Sequence, residues 1–312
     1  MYLYTLSPIG KMSNKTKAIW RSLYPFESRY FDLDGLRMHY VDEQKGRNPG
    51  DPPRQTLLMV HGNPTWSFFF RNVIVRFRDR FRCVAVDHIG CGLSDKPSET
   101  EYSFRLEQRI DDLCRLISEL DLQNITLIAH DWGGAIGVGA AERMSDRFDR
   151  LVLMNTAAFR NARFPLRIRV CRTPILGRIA VQGLNLFSHV ALRMAVAKPQ
   201  NLAKEVKAGL VAPYDSWNHR AAVYRFVDDV PMAEKHPSYK TLLDVEEKLP
   251  LLRNKPVSLI WGMQDWCFPP EFLARFLQFF PEANVHRLDN AGHYLLEDEP
   301  ETVLDAMEEF LK

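Results

Sequence analysis

The stretch that most restricts how this chain can fold is residues 124–144. Asn124-Ile125-Thr126-Leu127-Ile128 is a short, β-branched apolar run of buried-strand type. Residues 135–144 are rich in Ala and Gly and able to form a helix packed close to a sheet. Between them stands Ala129-His130-Asp131-Trp132-Gly133-Gly134. A strand, a one-residue tip between small neighbours and then a helix make a strained turn. Such a turn lifts one side chain above the carboxyl ends of a parallel sheet. Ser is the usual residue at the tip of such a turn, and here it is Asp131.

Other elements alternate around that turn. Residues 31–36 and 37–41 read as two strands joined at Asp34-Gly35. A polar loop (44–54) leads to Thr56-Leu57-Leu58-Met59-Val60, a continuous apolar run that ends in His61-Gly62-Asn63-Pro64-Thr65-Trp66. A helix reaching about Phe77 precedes a strand over 81–86. That strand runs into the glycine-punctuated Asp87-His88-Ile89-Gly90-Cys91-Gly92-Leu93-Ser94-Asp95. Leu106, Ile110, Leu113, Ile117 and Leu120 recur at helical spacing and predict an amphipathic helix before the central strand. Residues 151–154 are the next strand. The alternation argues for an α/β domain with a mostly parallel sheet.

From about Thr156 the texture changes. Residues 159–240 show helical periodicities and scattered Pro but no convincing strand. Alternation resumes with strands over 257–261 and 283–288 and helices over 270–280 and 301–311. The expected organisation is a core in two parts, 1–156 and 241–312, with a helical cap over 157–240. A helical insertion late in such a sheet covers its carboxyl edge, where ligands bind. Its charge is one-sided. Residues 159–212 hold ten Arg or Lys and a single acid, Glu205, whereas Asp215, Asp228, Asp229 and Glu234 follow. Two readings stay open. The basic helices face solvent or pair with the acidic second half, or basic, apolar stretches such as 190–196 build a surface for self-association or for anions. Phe164, Leu184, Phe187, Trp217 and Phe226 are candidate pocket liners.

Bulk properties exclude several classes. A formal charge of +2 gives no reason to invoke nucleic acid. Five Cys, odd in number and without a C-x-x-C pair, suggest free thiols in a reducing compartment rather than a disulfide framework or a zinc site. No stretch approaches the roughly 20 apolar residues of a membrane span, and the N-terminus lacks a secretory apolar region. A cytoplasmic location is expected, with Met12 as a second candidate start.

Three polar residues fall where the sheet would bring them together: Asp131, Asp265 after the strand ending at Trp261, and His293 after the last strand. Nucleophile, then acid, then His is the order this scaffold uses. Singly, each has a bland reading. Asp131 could cap a helix, Asp265 could be a turn residue, and His293 could be a satisfied core residue. All three at the ends of the expected strands make a catalytic triad. His61, His88 and His130 read as structural, each beside a position already assigned.

His61-Gly62-Asn63-Pro64-Thr65, Asp87-His88-Ile89-Gly90-Cys91-Gly92-Leu93-Ser94-Asp95, His130-Asp131-Trp132-Gly133-Gly134 and Gly292-His293-Tyr294-Leu295-Leu296-Glu297-Asp298 together resemble the haloalkane dehalogenases of the α/β-hydrolase fold. The likeness runs from about Tyr30 onward. Asn in the first motif with Trp after Asp131 is its narrower part. Asn155-Thr156-Ala157-Ala158 offers no carboxylate, so the acid is Asp265, which resembles the third dehalogenase subfamily.

The resemblance implies hydrolysis of a carbon–halogen bond to alcohol, halide and proton, with no metal or organic cofactor and a small halogenated molecule as partner. Asp131 attacks carbon to give an alkyl-enzyme ester. The indole N–H of Trp132 and the amide of Asn63 bind the departing halide. His293, supported by Asp265, then activates water, and the backbone N–H groups of Trp132 and Asn63 form the oxyanion hole. The rival readings are an epoxide hydrolase, with Tyr214, Tyr224 or Tyr239 protonating the ring, a luciferase-like monooxygenase and a non-catalytic ligand-binding member of the fold.

Overall fold

The apolar runs close into one sheet of eight strands. In the computed structural model, which describes residues 19–46, 54–161, 171–173 and 175–312, the strands are β1 (Arg29–Leu33), β2 (Leu36–Glu43), β3 (Thr56–Val60), β4 (Arg82–Val86), β5 (Ile125–Asp131), β6 (Phe148–Thr156), β7 (Val257–Gly262) and β8 (Asn284–Leu288). Their spatial order is β1-β2-β4-β3-β5-β6-β7-β8. The β1–β2 hairpin turns at Asp34 and Gly35, both at positive φ, and β2 pairs antiparallel with β4. The remaining pairs are parallel.

Parallel strands need crossovers, and α1 (Arg71–Phe77), α2 (Leu106–Glu119) and α3 (Trp132–Arg143) supply them on the N-terminal side. The central strands are buried along their whole length, because helices cover both faces of the sheet. Alternate residues serve opposite layers. Leu57, Met59 and Ile128 join one apolar cluster, and Leu58, Val60 and Leu127 the other.

The helix expected over 135–144 begins earlier, at Trp132. The strand before it continues to Asp131, which pairs with Thr156 of β6, so the chain passes from strand to helix with no loop between them. Between β6 and β7 the described residues form helices and no strand. A short turn (Leu176–Arg178) continues into a π-type turn (Ile179–Gly183), followed by α4 (Leu186–Met194), α5 (Lys204–Val211), α6 (Ala221–Asp228) and α7 (Tyr239–Lys248). The last of these packs on α2 and α3. After β7 come α8 (Pro270–Phe279) and, after β8, α9 (Pro300–Phe310).

This helical segment is stitched to the loops after β7 and β8. The carboxylate of Asp298 accepts hydrogen bonds from the backbone of Ala197 (2.9 Å) and of Gly292 (2.8 Å). The N–H of Tyr294 donates to the Ala195 carbonyl at 2.7 Å, and the indole of Trp266 donates to the Met194 carbonyl at 2.8 Å. Under the loop after β8, Arg71 grips Glu297 with two bonds of 2.6 and 2.7 Å, both side chains buried. No helix among the described residues is long and apolar enough to cross a membrane.

Candidate active site

Parallel strands end at one edge of the sheet, and the polar residues singled out in the sequence gather there. Asp131 holds φ 53 and ψ −125, a conformation that L-residues rarely adopt. Two glycines make room for it. A Cβ on Gly62 would fall on the Asp131 carboxylate, and a Cβ on Gly133 would fall on the Val60 carbonyl oxygen. The hydroxyl of Thr156 donates to the carbonyl of Asp131 and fixes the turn from the neighbouring strand.

The two oxygens of that carboxylate are not equivalent. Oδ1 accepts the backbone N–H of Asn63 at 2.6 Å, and the N–H of Trp132 also donates to the group. Oδ2 lies 3.6 Å from Nε2 of His293. Nδ1 of His293 in turn meets Oδ2 of Asp265 at 2.8 Å. Asp265 is itself held twice, by the Asn155 amide at 2.9 Å on Oδ2 and by the N–H of Cys267 at 2.6 Å on Oδ1. Thus Asp131, His293 and Asp265 form one buried line of contacts.

Electrostatics follow from burial. Desolvation raises the pKa of Asp131, against the lowering effect of His293 and of the two backbone donors. Burial also works against a charged His293, but the carboxylates of Asp265 and Asp131 outweigh it and its pKa is raised. The ring of His293 thus stands between two carboxylates, both of which favour its charged form. The neighbouring His130 shows what burial does without such partners: its pKa falls well below the ordinary value.

Asn155 is the residue that sequence reasoning passes over. At its position the sequence shows only that a carboxylate is missing. Its amide bonds both the Gly262 carbonyl (3.1 Å) and Asp265, while its Oδ1 accepts the Gly262 N–H (2.8 Å). Its φ of 34 at the end of β6 aims the side chain across to β7. That positive φ could not be read from one sequence.

Asp131, Asn63, Trp132 and His293 line a cavity of about 650 Å3 whose walls are otherwise mostly apolar. The Trp132 indole packs on Phe226 and makes no hydrogen bond to any described residue. Asn63 is more committed than the sequence suggests. Its Nδ2 donates to the Val223 carbonyl at 3.1 Å, which leaves one amide N–H for a ligand, and its Oδ1 is buried without a partner. Of the expected liners, Phe187 faces the cavity and Phe226 sits behind Trp132, whereas Leu184 and Trp217 are exposed on the outside. Phe164 lies outside the described residues.

The three tyrosines raised as ring-protonating acids do not line this cavity. Tyr214 donates to the Thr65 carbonyl, and Tyr239 accepts from Arg160. His61 and His88 bind each other's loops: the His88 N–H donates to His61 Nε2, and His88 Nε2 meets the His61 carbonyl. Burial lowers the pKa of His61 to about 4, in keeping with a neutral structural ring.

A family model for the alpha/beta hydrolase fold matches residues 55–300, a span holding Asn63, Asp131, Asp265 and His293. The chain belongs to that family. It is 39% identical over 294 residues to a cis-3-alkyl-4-alkyloxetan-2-one decarboxylase of Shewanella oneidensis, covering 93% of this chain and 90% of that protein. It is 35% identical over 293 residues to haloalkane dehalogenase 2 of Mycobacterium tuberculosis, covering 91% of this chain and 95% of that protein. Among solved structures, haloalkane dehalogenase DbeA from Bradyrhizobium elkani superposes with a TM-score of 0.80 at 26% identity, over 92% of this chain and 97% of that one. The fold is thus the α/β-hydrolase fold, and haloalkane dehalogenases are among its relatives.

Proposed function

We propose that this enzyme opens and decarboxylates a cis-3,4-dialkyloxetan-2-one, with Asp131 as nucleophile and the helical segment after β6 as a cap over the substrate. The observation that carries this reading is the cavity. Its size, about 650 Å3, matches a ligand with long apolar arms, and its few polar groups converge at Asp131. A two-carbon haloalkane would leave most of it empty. The Shewanella relative, named for that lactone chemistry, supports the same substrate class.

The geometry performs the reaction in two steps. Oδ1 is held by the N–H of Asn63, and Oδ2, on the side of His293, attacks C4 of the ring. The C4–Oδ2 bond forms as the bond from C4 to the ring oxygen breaks, and its electron pair stays on that oxygen as a new carboxylate. The Trp132 indole and the remaining Asn63 N–H receive that charge. The C3–carboxylate bond then breaks, its pair becomes the C3–C4 double bond, and CO2 departs. The C4–Oδ2 pair returns to Asp131. Inversion at C4 followed by anti elimination gives the cis alkene, and the balance needs neither water nor a proton. His293, beside Oδ2 and with its charged form favoured by the two carboxylates, assists the second step by stabilising the carboxylate that leaves.

A second reading, haloalkane dehalogenase, is favoured by one specific observation: Asn63 and Trp132 place two uncharged N–H donors beside Asp131. There the same ester would be hydrolysed by water that neutral His293 deprotonates. The experiment is a paired assay of wild type and Asp131→Asn with a long-chain cis-3,4-dialkyloxetan-2-one and with a panel of bromoalkanes. Alkene and CO2 from the lactone, lost in the variant, are expected. Halide release without lactone turnover would replace this reading by the second one.

A further inference from the structure

The outer face of the helical segment reverses ordinary surface patterning. Of the eight exposed positions between 175 and 193, six are aliphatic: Ile175, Leu176, Ile179, Leu184, Leu186 and Val190. Ile175 and Leu176 keep 74% and 73% of their surface in solvent. Single exposed apolar residues are normal on a monomer, but a run of this kind on one face marks a contact surface. The turn, the π-type turn and α4 that carry these residues pack on one another, so the exposed side chains belong to one local stretch of surface.

The inner side of the same segment is the cavity wall. Val181, Phe187, Ala191 and Met194 line the cavity, and Leu186 and Val190 line it while remaining exposed. The exposed apolar face therefore runs into the cavity at Leu186 and Val190. Charge adds a third observation. Among the described basic residues of 159–212, Arg160 and Arg178 pair with Glu246 and Glu99. Arg193, Lys198 and Lys204 are exposed, and no carboxylate among the described residues pairs with them.

We propose that this face docks on an anionic lipid surface, with its aliphatic side chains at the acyl boundary and its basic residues against the headgroups. An alkyl substrate then passes from the acyl layer into the cavity between Leu186 and Val190 without crossing water. A second copy of the chain fits the charge less well. A two-fold dimer sets a patch against itself, and here that turns the exposed Arg193, Lys198 and Lys204 toward their own copies with no carboxylate among the described residues to pair them. The docking stands whatever the reaction; the delivery route rests on the long-chain substrate proposed above.

The test is flotation of the full chain with vesicles of phosphatidylcholine, alone or mixed with phosphatidylglycerol. Leu176→Asp/Leu184→Asp and Arg193→Glu are the comparison variants, and none of these three side chains lines the cavity. Wild type is expected to bind the anionic vesicles at least ~10-fold more tightly than the neutral ones, with binding weakened by salt. The double variant, at unchanged melting temperature, should lose ~10-fold or more. Absence of vesicle binding, or equal binding by the double variant, would overturn the proposal. So would a wild-type dimer in sedimentation that the double variant converts to monomers, because a second copy then occupies the face. Vesicle binding needs no turnover, so an inactive lactone assay beside intact binding removes the proposed reaction and leaves the docking.

Discussion

Replacing His293 by Gln separates the two fates of an Asp131 ester. Nε2 of His293 stands 3.6 Å from Oδ2 of Asp131. At an effective permittivity of about 20, unit charges at that distance interact by about 4.6 kcal/mol. If the leaving carboxylate is half charged in the transition state of elimination, about 2.3 kcal/mol is lost with the imidazolium, or ~50-fold in rate. Attack on C4 consumes negative charge at the same oxygen, so that step does not suffer. His293→Gln should therefore form the lactone adduct and still release alkene, at roughly one-fiftieth of the wild-type rate. With a bromoalkane the variant lacks the base that activates water, a loss of ~100- to 10,000-fold, and the alkyl ester should persist. Intact-protein mass spectrometry follows both adducts, and gas chromatography follows the alkene. Two results would refute the reasoning: alkene formation undiminished in the variant, or lactone turnover lost as completely as bromoalkane turnover.

Other outcomes follow from the same geometry. Lactone turnover needs Asp131 ionised and His293 charged, and both pKa values are raised. The rate should fall on the acid side above the usual range of an exposed Asp, and fall again as pH rises past the raised pKa of His293. Ester hydrolysis needs that ring neutral, so dehalogenation should gain rate over the interval in which His293 loses its proton; a pH–rate profile for each substrate reads the sign. Gly62→Ala places a methyl on the Asp131 carboxylate and should lower turnover ~100-fold or more with an unchanged circular dichroism spectrum. Arg71→Ala leaves the carboxylate of Glu297 buried without its partner. It should lower unfolding stability by about 3–5 kcal/mol in a denaturant titration.

Much of the fold is local and could be read from the chain. The apolar run at 56–60 and the β-branched run at 125–128 state their own burial, the helical spacing from Leu106 to Leu120 states its own face, and the small residues around Asp131 announce a sharp turn. These signals lie within a few residues of one another, so periodicity and steric size suffice to read them. The positions of Asp131, Asp265 and His293 at strand ends follow from the same reading, because parallel strands all finish at one edge.

What the tertiary structure decided depends on groups far apart in sequence. The side chain of Asn155 reaches Asp265, 110 residues away, through a positive φ at a strand end. The Asn63 amide meets the carbonyl of Val223, 160 residues away, and so gives up half of its donor capacity. The raised pKa of His293 needs two carboxylates that the sequence separates from each other by more than a hundred residues. Above all, the size of the cavity and the outward turn of Leu176 and Leu184 are set by how helices after β6 lie over the sheet. Apolar residues spaced for a helix read alike whether they face a core, a cavity or the outside. Only packing assigns the face, and here that assignment moved the proposed substrate from a small haloalkane to a molecule with long alkyl arms.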